Sequence, residues 1–224
     1  MTVLYIASDE RGAGKTAFCA SLASLLNQRG ITAAAIKPIV DESELVDAPE
    51  QLMFAPGTGD VSSGSPWPLV LNSRGLTKQL VKTATSLVQQ LAENHQVVLV
   101  EGSNSLESGD GKKLAEAIGA KVLAVVTHRQ GMDLSGLSEW KTSHMDSFLG
   151  VIFNSRRQYL GTEVNQVLLP ALAMEQIRSF GVIPESRTLL AVTVGQIAKH
   201  LEARFLTEEN DLNALVEYFM VGGW

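Results

Sequence analysis

Residues 7–19 read ASDERGAGKTAFC, directly after the apolar run TVLYI at 2–6 and directly before residues of helical spacing. A loop that cradles phosphates needs backbone N–H groups converging on the anion and a lysine reaching the outer phosphates. It also needs a hydroxyl for Mg2+ and a helix N-terminus behind them. Gly12, Gly14, Lys15 and Thr16 supply the closing half of the pattern G-x-x-x-x-G-K-[ST] in that strand-to-helix context. Glu10, Arg11, Ala13 and Ala17 complete the stretch expected to line a bound nucleotide. The first glycine position of the pattern holds Asp9 instead. Taken alone, the stretch also fits a plain turn into a helix, although a helix first turn favours acids and disfavours lysine.

Outward from this loop, short apolar runs rich in β-branched residues alternate with longer segments of helical spacing, the pattern of βα units and a mainly parallel sheet. Strands are expected at 2–7, 32–37, 97–101, 121–126, 149–153 and 180–183, with helices at 15–29, 74–93, 111–118, 133–142 and 163–178. The expected fold is an α/β P-loop NTPase: a three-layer sandwich with helices on both sides of the sheet. Residues 41–73 break the alternation with prolines, glycines and serines and read as a long surface excursion. From Val192 onward the pattern reads as helix, short strand, helix and a further apolar run. The division expected is a nucleotide-binding domain over 1–190 and a small, incomplete α/β appendage over 191–224.

Two further positions share the predicted edge of the sheet. The apolar strand at 97–101 ends in Glu101-Gly102, which puts a carboxylate where ligands bind in open α/β folds. With the hydroxyl of Thr16 it suits Mg2+, an ion bound by one or two carboxylates plus substrate phosphates. Lys37 ends the second strand, and Pro38 keeps the chain extended there, so this ammonium joins Lys15 as a candidate catalytic group. Arg129, in THRQGMD at 127–133, follows another strand and is a candidate for the phosphate edge. The four histidines, at 95, 128, 144 and 200, lack the i, i+4 spacing of a helical metal site. The single Cys19 excludes an internal disulfide and reads as a small core residue.

The formal charge of −6, without a basic run, gives no general attraction to nucleic acid. Nothing approaches the roughly 18 apolar residues of a membrane span. No secretory n-region precedes the first strand, and a cytoplasmic location is expected.

Four segments in succession, IKPI at 36–39, VVLVEG at 97–102, LGVIFN at 149–154 and FGVIPE at 180–185, resemble the dethiobiotin synthetase group of P-loop proteins, which includes cobyrinic acid a,c-diamide synthase. The resemblance spans about 1–190. It implies ATP and Mg2+ as cofactors and an acid five residues before the lysine, here Glu10, as a family feature beside the metal. It also implies Asn154, Pro184 and Glu185 around the adenine, and Lys37 facing the γ-phosphate or the acceptor. The chain departs from the group in carrying Ser103-Asn104-Ser105 after the acid-glycine pair and Asp41-Glu42 after Lys37-Pro38. The tail from Val192 resembles the opening of the DRTGG domain that follows a dethiobiotin-synthetase-like domain in large phosphate acetyltransferases. On that resemblance the chain stops partway through the domain.

Two functions remain open on these residues. One is an enzyme that activates a carboxylate of an unidentified small-molecule acceptor by phosphoryl transfer for C–N bond formation. The other is a non-catalytic nucleotide-sensing module. A homodimer is expected, with the apolar run YFMV at 218–221 as its contact.

Overall fold

The computed structural model of the chain describes residues 1–41, 69–71, 75–103, 108–129, 132, 134–155, 164–184, 191–205 and 211–218. The chain divides into two compact units, Met1–Ile183 and Pro184–Trp224.

In the first unit, β1 (Thr2–Ser8) leads through the glycine loop into α1 (Lys15–Gln28) and then β2 (Ala33–Ile36). Next come β3 (Ile39–Asp41), β4 (Leu69–Leu71), α2 (Lys78–Asn94) and β5 (Val97–Glu101). The unit continues through α3 (Ser108–Ala117), β6 (Lys121–His128), α4 (Ser135–His144) and β7 (Phe148–Ser155). It closes with α5 (Leu169–Met174) and β8 (Ser179–Ile183). Six strands form one sheet in the order β2-β5-β1-β6-β7-β8, and every pairing in it is parallel.

The pleat sorts the core into two faces. Leu4 and Ile6 of β1 point with Ala33, Ala35 and Leu99 toward Cys19, Leu22, Ala23 and Leu26 of α1. Val3 and Tyr5 point the other way, with Val98 and Val100, toward Leu87, Val88 and Leu91 of α2 and Leu114 of α3. Further along the same face, Ala124, Val126, Val151 and Phe153 meet Leu137 of α4 and Leu172 of α5. Thus α1 covers one side and α2 to α5 the other, as right-handed crossovers require when the chain first steps from β1 to β2 and then returns through β5 to β6. Alternation of apolar residues over both faces, as in VVLV at 97–100, is what a strand buried on both sides demands.

Three details differ from the sequence reading. Leu69–Leu71 lie inside the expected excursion yet form β4, paired in parallel with β3, because Leu69 and Leu71 bury into the core cluster around Val3. The expected helix at 163–178 is instead a π-helical turn (Val164–Leu168) followed by α5. Pro170 sits in the first turn of α5 and has no N–H to give to a preceding carbonyl, so the regular ladder restarts there. That helix ends by 174, Gln176 takes a φ of 53°, and the chain re-enters the sheet. In the second unit a strand precedes the helix: β9 (Val192–Thr193), α6 (Val194–His200) and β10 (Leu215–Val216), with β9 and β10 antiparallel. Thr193 caps α6 through a capping box with Gln196. No described residue of this unit is buried.

Candidate nucleotide site

The glycine loop leaves the C-terminal end of β1 and turns into α1. Gly12 and Gly14 take φ values of 77° and 92°, a region that costs little only for glycine. At Gly14 a second constraint operates, since a Cβ there would overlap the side-chain amide of Asn154, whose Nδ2 donates to Ala13 O at 2.8 Å. Asn154, at the end of β7, therefore braces the loop from across the sheet. The N-terminus of α1 has no acid in its first turn and no side-chain cap, whereas at α2 the Thr77 side chain accepts from Leu80 N. Its N–H groups are thus left without a capping side chain, the arrangement that suits an anion.

Lys15 is 5% exposed and its Nζ donates to Ser8 Oγ, so the lysine lies folded back along the loop rather than extended into solvent. Ser8 in turn donates to Glu10 O at 2.8 Å. Thr16 Oγ1 donates to Glu101 Oε1 at 2.8 Å, and Lys37 Nζ lies 3.3 Å from the same oxygen. One carboxylate, itself 6% exposed, therefore joins the P-loop hydroxyl to the lysine that follows β2. This is enforced by the sheet order, which sets β5 between β1 and β2. Gly102 must follow Glu101, because a Cβ there would overlap the Tyr5 hydroxyl and lie 3.1 Å from Ile6 O.

On the other side of β1, Asp9 Oδ1 accepts from Thr127 N at 3.4 Å and Arg129 pairs with Glu10. Burial pushes the Asp9 carboxyl above the usual carboxylate range, opposed by the hydrogen bond from Thr127. Glu10 Oε1 and Thr127 Oγ1 are buried and have no hydrogen-bond partner among the described residues.

Of the residues singled out in the sequence, the contacts above join Lys15 to Glu10 through Ser8 and Glu10 to Arg129, Thr16 to Glu101 and Lys37, and Asn154 to Ala13 and Gly14. Arg11 and Ala17 are exposed, on the loop and on α1. Pro184 is exposed and opens the second unit, while Glu185 lies outside the described residues, as do Glu42, Asn104 and Ser105. Cys19 is buried, and desolvation, with a further push from the Glu101 charge, drives its thiol pKa well up, which makes it unreactive. His95 and His144 each bond a carbonyl one turn back in their helices. Ser8 and Thr127 were missed, and their only sequence signal is a polar residue at the end of an apolar strand; Asp9 was noticed only as the residue standing at the first glycine position of the pattern.

A family profile described as "AAA domain" matches residues 2–193. The chain belongs to this AAA domain family. Among solved structures, MinD cell division protein from Aquifex aeolicus is similar over 85% of this chain and 85% of its own, with 18% identity and a TM-score of 0.55. The MinC:MinD cell division protein complex from the same organism aligns over 85% and 84%, with 18% identity and a TM-score of 0.52. Cobyrinic acid a,c-diamide synthase from Mycobacterium smegmatis, solved with ADP and magnesium, aligns over 79% and 84%, with 16% identity and a TM-score of 0.48. No curated protein sequence matches the chain. The likeness to MinD shows that this AAA domain has the P-loop NTPase fold, a parallel sheet flanked by helices.

The residues of the AAA domain fit a magnesium nucleotide. The loop supplies two positive-φ glycines and a helix N-terminus without a side-chain cap, and the buried lysine supplies charge. Thr16 and Glu101 offer two oxygens, fitting an ion that takes the rest of its shell from phosphates and water. Among the described residues no group of three or more His, Cys, Asp or Glu side chains is placed to hold a metal by itself. No helix among them is long and apolar enough to cross a membrane.

Proposed function

We propose that the chain binds ATP with Mg2+ and transfers the terminal phosphoryl group to a carboxylate, which a nitrogen nucleophile then attacks to form a C–N bond. The observation that carries this reading is the Glu101 carboxylate shared between Thr16 and Lys37. It puts the expected metal ligands and a second cation side by side, at the edge of the sheet where a phosphate and an anionic acceptor must meet. Lys15 and the loop N–H groups hold the phosphoryl group as it moves, and Thr16 with Glu101 would hold the ion, which neutralises charge on the phosphate oxygens when bound. Lys37 orients the acceptor. Its carboxylate oxygen bonds to the γ-phosphorus as ADP departs with the bridging oxygen, and phosphate leaves when the amine attacks the carbon. Positioning and charge neutralisation supply most of the catalysis in such chemistry. The series IKPI, VVLVEG, LGVIFN and FGVIPE supports this reading through the dethiobiotin synthetase group, on whose pattern Asn154 borders the adenine.

A second reading, a nucleotide sensor without turnover, is favoured by Asp41 and Glu42, whose charges oppose an anionic acceptor after Lys37-Pro38. ATP binding and ATP turnover measured separately divide the two. The enzyme predicts phosphate release above the acceptor-free rate for at least one member of a carboxylate panel supplied with ammonia. Tight binding with no such stimulation across the panel selects the sensor.

We further assign residues 1–190 to the nucleotide-binding domain, residues 191–224 to an appendage, and the whole to a cytoplasmic homodimer. Among its described residues the second unit has two short strands and one helix and buries none of them, so a second copy is its proposed support. Light scattering should give a dimer for the intact chain and a monomer for a chain ending at Leu190. An intact monomer, or a shortened chain that dimerises equally well, contradicts the assignment.

A further inference from the structure

We propose that Arg129, with Glu10 and Thr127, forms a subsite on the β6 side of the P-loop that distinguishes a nucleoside triphosphate from a diphosphate. This rests on the nucleotide-binding reading above. β1 and β6 are neighbouring parallel strands, and the chain leaves β1 toward β2 but later crosses to β6, so the point where the strand order reverses lies between them. Ligands of open α/β sheets bind at such points, beyond the strands' C-terminal ends. The loop after β1 is tied there to the end of β6 by the Asp9–Thr127 hydrogen bond and to the residue after β6 by the Glu10–Arg129 ion pair.

Three features of this seam suit a ligand rather than a finished structural contact. Glu10 Oε1 and Thr127 Oγ1 are buried without a hydrogen-bond partner among the described residues, and Thr127 as a whole is 3% exposed. Buried polar atoms left unpaired cost free energy, so such atoms beside a binding loop are places for a ligand or its water to complete. The carboxylate of Glu10 stands in the loop itself, five residues before Lys15, where it would repel arriving phosphates unless a cation offsets it. Arg129 is that cation. Its side chain is 64% exposed, so it has little packing to lose when it reorients.

A terminal phosphate carries more charge than one carboxylate and presents several oxygens to the planar guanidinium fork. Arrival of a triphosphate therefore draws Arg129 from Glu10 onto the γ-phosphate, with the Thr127 hydroxyl gaining a phosphate oxygen as acceptor. A diphosphate lacks that group and leaves Arg129 on Glu10. Arg129 thus adds a contact that only the last phosphate can make, while Lys15 and the loop hold the phosphate chain as a whole.

Calorimetric titrations of ATP and ADP, both with Mg2+, against the intact chain, Arg129→Ala and Arg129→Lys test the subsite. The expected result is a loss of about tenfold in ATP affinity for Arg129→Ala, with ADP changing by less than about twofold and Arg129→Lys recovering part of the loss. Equal losses for ATP and ADP, or no loss for either, overturn it. If the unmodified chain binds neither nucleotide, the nucleotide reading itself falls and takes the subsite with it. Glu10→Gln gives a second reading: ATP affinity rises severalfold because Arg129 no longer has to leave a carboxylate, and a fall overturns the exchange.

Discussion

Replacing Lys15 with methionine is expected to weaken ATP binding about a hundredfold while the protein stays folded. Lys15 is 5% exposed, so alanine would leave a void where methionine keeps the stem. The substitution removes the ammonium held by Ser8 Oγ, and Ser8 retains its bond to Glu10 O. Taking a buried charge away releases a desolvation cost as well as a hydrogen bond, and the two oppose each other in the free protein. The thermal midpoint should therefore move by only a few degrees, about 3 °C. With a phosphate chain in place nothing offsets the loss, because the lysine's partner is then the nucleotide. Calorimetry with ATP and Mg2+ together with a melting curve checks both halves. Unchanged affinity in a folded Lys15→Met protein would remove the lysine from the site.

The second large effect is expected at Glu101. Its carboxylate faces Thr16 at 2.8 Å and Lys37 at 3.3 Å and is buried, so Glu101→Gln keeps the shape and removes the charge. With Mg2+ present, ATP affinity should fall by about tenfold or more, since a carboxylate ligand matters to this ion chiefly through its charge. Without Mg2+ that loss disappears: a negative group beside the phosphates is gone, and affinity holds or rises. The contrast between the two titrations identifies the role. A loss of equal size with and without the metal would mean that Glu101 only supports the fold. The amide also leaves Lys37, 13% exposed, with a weaker partner, so some stability is lost as well.

What the sequence made legible was local. A strand, a glycine loop and a helix in immediate succession need no long-range information, and neither does a carboxylate that ends an apolar strand. The order of strands then brings Lys15, Lys37 and Glu101 together. The unread parts depend on contacts between distant segments. Thr127 meets Asp9 across a separation of 118 residues, and nothing in the run KVLAVVTH marks its threonine as a partner of the loop. Gly14 looked like a phosphate glycine alone, yet Asn154 packs where its Cβ would be. The single helix expected at 163–178 failed in part on a residue visible from the start, Pro170, at which the regular ladder restarts. The strand Leu69–Leu71 was hidden by the prolines and glycines around three apolar residues that pair with β3.

The central claim is that the loop from Ser8 to Thr16 receives the phosphates of a magnesium nucleotide. Titration of the intact chain with ATP, once with Mg2+ and once with the metal chelated, tests it most directly. The account predicts saturable one-site binding that is clearly tighter with the metal. Absence of binding in both titrations, from a chain shown to be folded, would contradict it.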